Sequence, residues 1–132
     1  MIGVMPCSGA CNVGQMSTKA VVEAIQQRPG EISFVCALGL PLQIPGIVKK
    51  AHENYAVHIA VNGCKVGCAT KALESVDVEP ETSLLVTEAI CYEKNGDLTD
   101  ETRLPELVES VLAAVDAVRS GDEVEEGAGL LR

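Results

Sequence analysis

"IGVMPCSGACNVGQMSTKAVVEAIQQRPG", residues 2–30, is the stretch on which the reading of this chain turns. Ile2–Met5 is short, apolar and stopped by Pro6, the pattern of a buried strand. Small residues, Gly9 and two cysteines follow. From Val13 or Gly14 the apolar spacing becomes helical, with Ser17 as a candidate cap and Val21, Val22 and Ile25 on one stripe. "RPG" at 28–30 ends the helix. The unit is therefore a strand, a cysteine-bearing loop and a helix.

The same order recurs downstream. "EISFVCALG" reads as a second strand over 31–36, and "GIVKKAHEN" as a short helix after a loop with Pro41 and Pro45. The β-branched run "YAVHIAVNG", 55–63, predicts a third strand turning at Asn62-Gly63. "KVGCATKALESV" predicts the third helix, with Ala69, Ala72 and Leu73 facing inward, and "TSLLVTEAICY" a fourth strand. A long amphipathic helix follows from about Leu104, with Leu107, Val111, Leu112, Val115 and Val118 on one face. Strands alternating with helices imply right-handed crossovers and a parallel sheet. The expected fold is α/β: a small Rossmann-like or flavodoxin-like three-layer sandwich on a four-stranded, mainly parallel sheet. Residues 1–120 form a single domain on this reading, and 121–132, "GDEVEEGAGLLR", an acidic, mobile tail.

Composition narrows the function classes. Hydrophobic residues make up 47% of the 132, which demands a packed core. With Phe34, Tyr55 and Tyr92 as the only aromatics, that core is aliphatic and offers no platform for stacking bases. A net charge of −9 also opposes a nucleic-acid partner. Residues 95–132 hold ten acids and three arginines, so most of that charge is a solvating acidic end. No apolar run approaches the ~20 residues of a membrane span. The N-terminus lacks a basic segment followed by a long apolar one, so the expectation is a cytoplasmic protein with reduced thiols.

Six thiols in such a chain point to metal binding or reactivity rather than a disulfide framework. Cys7 follows strand one, Cys36 ends strand two, Cys64 follows strand three and Cys91 lies near the end of strand four. Cys11 and Cys68 stand four residues beyond Cys7 and Cys64. A parallel sheet gathers all six at one edge, where ligands of such folds collect. Four thiolates suit tetrahedral zinc, and equally an iron–sulfur cluster. Helix N-termini favour thiolate, and Gly9, Gly63 and Gly67 allow backbone amides close to sulfur. Cys91, in an apolar strand, reads as a small packed hydrophobe, whereas Cys7, Cys64 and Cys68 sit in glycine-rich loops suited to chemistry. His52 and His58 read as solvated or packed side chains rather than ligands. A phosphatase loop around Cys7 would need an arginine where Asn12 and Val13 stand, and that reading is excluded.

"PCSGACNVGQMS" (6–17), "VCALGLP" around Cys36 and "VNGCKVGCATKALE" (61–74) resemble the DGC family, named for an Asp-Gly-Cys motif. The likeness spans most of residues 2–94. It implies a small α/β domain that binds zinc through cysteines, with no reaction attached. Carried over by position, it implies Cys7, Cys36, Cys64 and Cys68 as the metal ligands. The chain departs from the pattern twice: Asn62 replaces the signature aspartate, and Cys11 replaces an expected serine, making it an additional candidate ligand. Lys71 matches the pattern, and Lys65 or Lys71 is a candidate counter-charge for the thiolates.

Three functions follow: a zinc protein with a four-cysteine site, a thiol redox or sulfur-transfer protein using Cys7/Cys11 or Cys64/Cys68, and an iron–sulfur protein. A monomer is expected, or a homodimer through a free edge of the fourth strand.

Overall fold

A strand buried on both faces needs apolar residues throughout, and all five residues of Ile2–Pro6 are buried. In the computed structural model this segment is β1, lying parallel between Ile32–Phe34 (β2) and Val57–Asn62 (β3). Thr82–Leu85 (β4) continues in parallel beyond β3, and Leu130–Leu131 (β5) adds a short antiparallel strand outside it. The order is β2-β1-β3-β4-β5. The structure describes residues 1–120 and the backbone of Leu130–Leu131; the remainder of the tail expected from Gly121 lies outside the described residues.

Asn12–Gln27 (α1), Pro45–Glu53 (α2) and Cys68–Glu74 (α3) connect the parallel strands, and Val86–Ala89 (α4) and Leu104–Ser120 (α5) follow β4. Period-2 alternation along the strands feeds two cores. Val4, Ile59 and Val61 pack with Met16 of α1 and with Leu107 and Val111 of α5. Met5 and Ala60 face the other way, toward Ala51 of α2 and Ala72 and Leu73 of α3. The result is the expected α/β sandwich on four parallel strands. No helix among the described residues is long and apolar enough to cross a membrane.

Three local readings change. Helix α1 begins at Asn12, so Ser17 is inside it rather than at its cap. The buried Ser17 hydroxyl donates to the Gly14 carbonyl at 2.6 Å and accepts the Cys7 amide at 3.1 Å. The fourth strand stops at Leu85, because its partner β3 ends at Asn62 and offers no further ladder. The chain turns into α4 instead, and the Thr87 amide donates to the Gly63 carbonyl. Cys91 therefore leaves the apolar strand and sits exposed at φ 50°. Finally, the edge of β4 is not free along Ser83–Leu84, where β5 pairs with it.

The order of the strands fixes where a site can form. From β1 the chain crosses to β2 on one side, and β3 flanks β1 on the other. The connections leaving β1 and β3 thus diverge, opening a crevice at the carboxyl ends of these two strands. Those connections are the two cysteine loops.

Candidate functional site

Close backbone approach brings the loops together. A Cβ on Gly14 would lie 2.6–2.9 Å from backbone atoms of Gly9, and one on Gly63 would lie 3.1 Å from the Gly14 amide nitrogen. Only hydrogen fits at Gly14, and Gly63 tolerates little more. The first loop therefore folds tightly over the start of α1 while the second rests against it.

This contact sets Cys7 among the other thiols. Cys7 is half-buried, and burial pushes its thiol above the ordinary value of 9.0. Amides of Gly63 and Gly9 donate toward the sulfur and oppose that rise, while the charges of Cys68 and Cys64 add to it. Cys64 is half-buried beside the α1/α5 core, and Cys68, the first residue of α3, is exposed. Cys7, Cys64 and Cys68 thus share one electrostatic environment. Cys7 and Cys68 also line a cavity of about 450 Å³ together with Lys71.

Cys36 lies two residues past Phe34, which is in register with Val4 of β1, so it occupies the same sheet edge, half-buried. Cys11 takes a different place: it is 6% exposed, precedes the first turn of α1 and packs in the core. Cys91 donates its thiol to the Glu88 carbonyl at 3.6 Å, one helical turn back, and so satisfies itself locally. Among the described residues, no group of three or more His, Cys, Asp or Glu side chains is gathered tightly enough to hold a metal ion as they stand. The donor set is nonetheless the soft-sulfur type that zinc and iron select, delivered from three neighbouring strand ends.

Asn62, at the family's aspartate position, is 5% exposed and does not reach a thiol. Its Oδ1 accepts the amides of Ala69 and Thr70 at 3.0 and 3.2 Å, and its Nδ2 donates to the Thr70 hydroxyl at 2.8 Å. Helix α3 has no side-chain cap of its own, and Gly67 ahead of it has φ 72°. Asn62 supplies that cap from the end of β3, fixing where α3 starts and hence where Cys68 stands. An aspartate could accept the same two amides.

Lys94 escaped the sequence reading. Its ammonium donates to the Cys64 sulfur at 3.6 Å, and the charges of Cys64, Cys11 and Cys7 raise it above the usual lysine value. Asn12 puts it there. The fully buried Asn12 side chain donates to the Glu93 carbonyl at 2.9 Å and accepts the Asn95 amide at 2.7 Å, while its own amide donates to the Asn95 carbonyl. Lys94 thus adds a cation beside a thiol to the candidates Lys65 and Lys71, of which Lys71 lines the same cavity as Cys7 and Cys68.

His58 belongs to the opposite end of the sheet. It is buried, with Nε2 2.7 Å from the Ala51 carbonyl and its ring edge-on to Tyr55, and burial lowers its pKa below 6.5. Of the two readings expected for it, solvated or packed, His58 takes the packed one.

Comparisons with known proteins place the chain in a family. The Anaerobic and virulence modulator AnvM of Pseudomonas aeruginosa is 28% identical over 94 residues, covering 71% of this chain and 70% of that protein. No solved structure matches the chain significantly. The family model of the DGC domain matches residues 3–115, which include both cysteine loops, Cys36 and Lys94, and the chain belongs to the DGC domain family.

Proposed function

We propose that this chain is a zinc-binding protein whose ligands are Cys7, Cys64 and Cys68, with Cys36 as the fourth thiolate. The observation that carries the reading is the convergence of two cysteine loops on the β1/β3 crevice, with Lys94 supplying positive charge at Cys64. Four thiolates around a zinc ion leave a net charge of −2 that nearby cations moderate. Such a closed set has no open position for water, so the role is structural, carrier-like or regulatory rather than hydrolytic. Reduced thiols of this kind suit the cytoplasm.

Anaerobic purification followed by elemental analysis and a visible spectrum tests this. About one colourless zinc per chain is expected, lost in Cys64→Ser. A brown chromophore with iron and sulfide would replace zinc by an iron–sulfur cluster, the other occupant of four thiolates. Full zinc occupancy in Cys64→Ser would remove the ligand assignment.

A thiol redox role is the second reading, and two observations favour keeping it. Lys94 lies beside Cys64, and the relative carries "anaerobic" in its name. The pair would be Cys7 with Cys64 or Cys68 across the loops, rather than Cys7 with the core residue Cys11. Metal-free protein that forms one reversible disulfide between those residues under mild oxidation would support it.

A further inference from the structure

The cavity beside the thiols is too large for a metal ion alone. Four sulfurs at about 2.3 Å from zinc make a compact cage. The space here is about 450 Å³, within the roughly 300–1,000 Å³ range of small-molecule sites. Its walls come from three places: the first cysteine loop, the length of α3 from Cys68 to its C-cap Ser75, and the connection between β2 and α2.

The lining is chemically lopsided. Ala37, Leu38, Pro41 and Ala72 make apolar walls, Ser8, Ser75, Cys7 and Cys68 complete the lining, and Lys71 is the one cation among the described lining residues. Leu38 is 73% exposed, and Leu42 and Ile44 along the same connection are 69% and 45% exposed, a high apolar exposure for consecutive turns of one loop. Lys71 has no ion-pair partner among the described residues. Glu74 and Glu79 line a neighbouring cleft that Lys71 also borders, but neither forms an ion pair with it among the described residues.

We propose that this cavity binds a small organic acid with an apolar body, its hydrocarbon part against Leu38, Pro41 and Ala72 and its anionic group at Lys71. An unpaired ammonium at the mouth of an apolar cavity selects an anionic head, because a carboxylate loses less on leaving water when a cation receives it. A cationic ligand of the same shape would meet like charge. The selection rests on these walls and on Lys71 and is expected in the metal-free protein, since a four-thiolate zinc site of net charge −2 at Cys7 and Cys68 would oppose an anion in the same cavity.

Calorimetric titration of the full chain, metal-free and zinc-loaded, with octanoate, octanol and octylammonium tests it. Octanoate is expected to bind the metal-free chain saturably and at least about tenfold tighter than octylammonium, with Lys71→Glu removing or reversing that preference. Ala72→Trp fills the cavity and should abolish octanoate binding. Because Ala72 is buried, Leu38→Asp on the exposed rim provides a second variant that leaves the core intact and should also weaken octanoate. In the metal-free chain, equal binding of octanoate and octylammonium, no saturable binding, or unchanged octanoate affinity in both Lys71→Glu and Leu38→Asp would overturn the proposal. Zinc content measured on the same samples separates this failure from a failure of the metal reading.

Discussion

Two loops with the same spacing of cysteines do different things in this molecule. Cys7 and Cys11 are four apart after β1, and Cys64 and Cys68 are four apart after β3. In the first loop the second cysteine lies just before a 16-residue helix that packs along the sheet, and it is buried in the core. In the second loop the second cysteine opens a 7-residue helix and stays exposed on the cavity. Spacing fixes how far apart two thiols can be along the chain. What surrounds the second one decides whether it is packed in the core, as Cys11 is, or left accessible, as Cys68 is.

The sharpest way to break the comparison is at the glycine that lets the first loop fold. Gly14→Ala forces a Cβ into the backbone of Gly9, and nothing there is a flexible side chain that could yield. A loss of more than about 3 kcal/mol in denaturant unfolding is expected. A loss below 1 kcal/mol would mean that the tight loop is not what holds Cys7 in place.

Asn62→Ala addresses the second loop. It strips two amides of α3 of their acceptor and leaves the Thr70 hydroxyl with Ser83 alone, so a cost of about 2 kcal/mol is expected, with Cys68 displaced. Asn62→Asp keeps the acceptor for both amides and should lie within about 1 kcal/mol of the parent. If alanine and aspartate were equally damaging, the cap would not be the role of this position.

The second cysteines themselves should separate by assay. Cys11→Ala opens a small gap in the core and is expected to cost about 1–2 kcal/mol while leaving metal content intact. Cys68→Ala, at an exposed position, should change stability by less than about 0.5 kcal/mol in metal-free protein and should lower metal content. Thermal unfolding and elemental analysis of both variants check the crossing.

The smallest effect is kinetic. In metal-free protein, burial favours the neutral Cys7 thiol, so its thiolate forms only above the ordinary value of 9.0. Alkylation of Cys7, followed by mass spectrometry, should therefore remain slow through pH 9 and accelerate beyond it. Rapid alkylation near pH 7 would contradict the burial that the first loop imposes.

How much of this was legible in the sequence follows from the range of each interaction. Cys7, Cys36, Cys64 and Cys68 could be assigned to one sheet edge because each lies at or just past the end of a β-branched or apolar run, and parallel strands end together. The α/β sandwich followed from the same local alternation. Lys94 could not be found that way: its position depends on Asn12 hydrogen-bonding Asn95, 83 residues along the chain. Nor did the run "LLVTEAICY" reveal that it changes from strand to helix after Leu85, since the break comes from β3 running out at Asn62. Asn62 read as a substituted signature residue near sulfur. Its use as a cap became visible only when α3 was seen to lack one.

The central claim is that Cys68 belongs to a thiolate metal site and Cys11 does not. Cobalt(II) reports this directly, because its visible absorption is intense in tetrahedral sulfur coordination and reveals thiolate ligands. The anaerobic parent protein titrated with cobalt(II) should give a saturable spectrum of that kind, kept in Cys11→Ala and lost or strongly weakened in Cys68→Ser. A spectrum unchanged in Cys68→Ser, or none in the parent, would contradict the account.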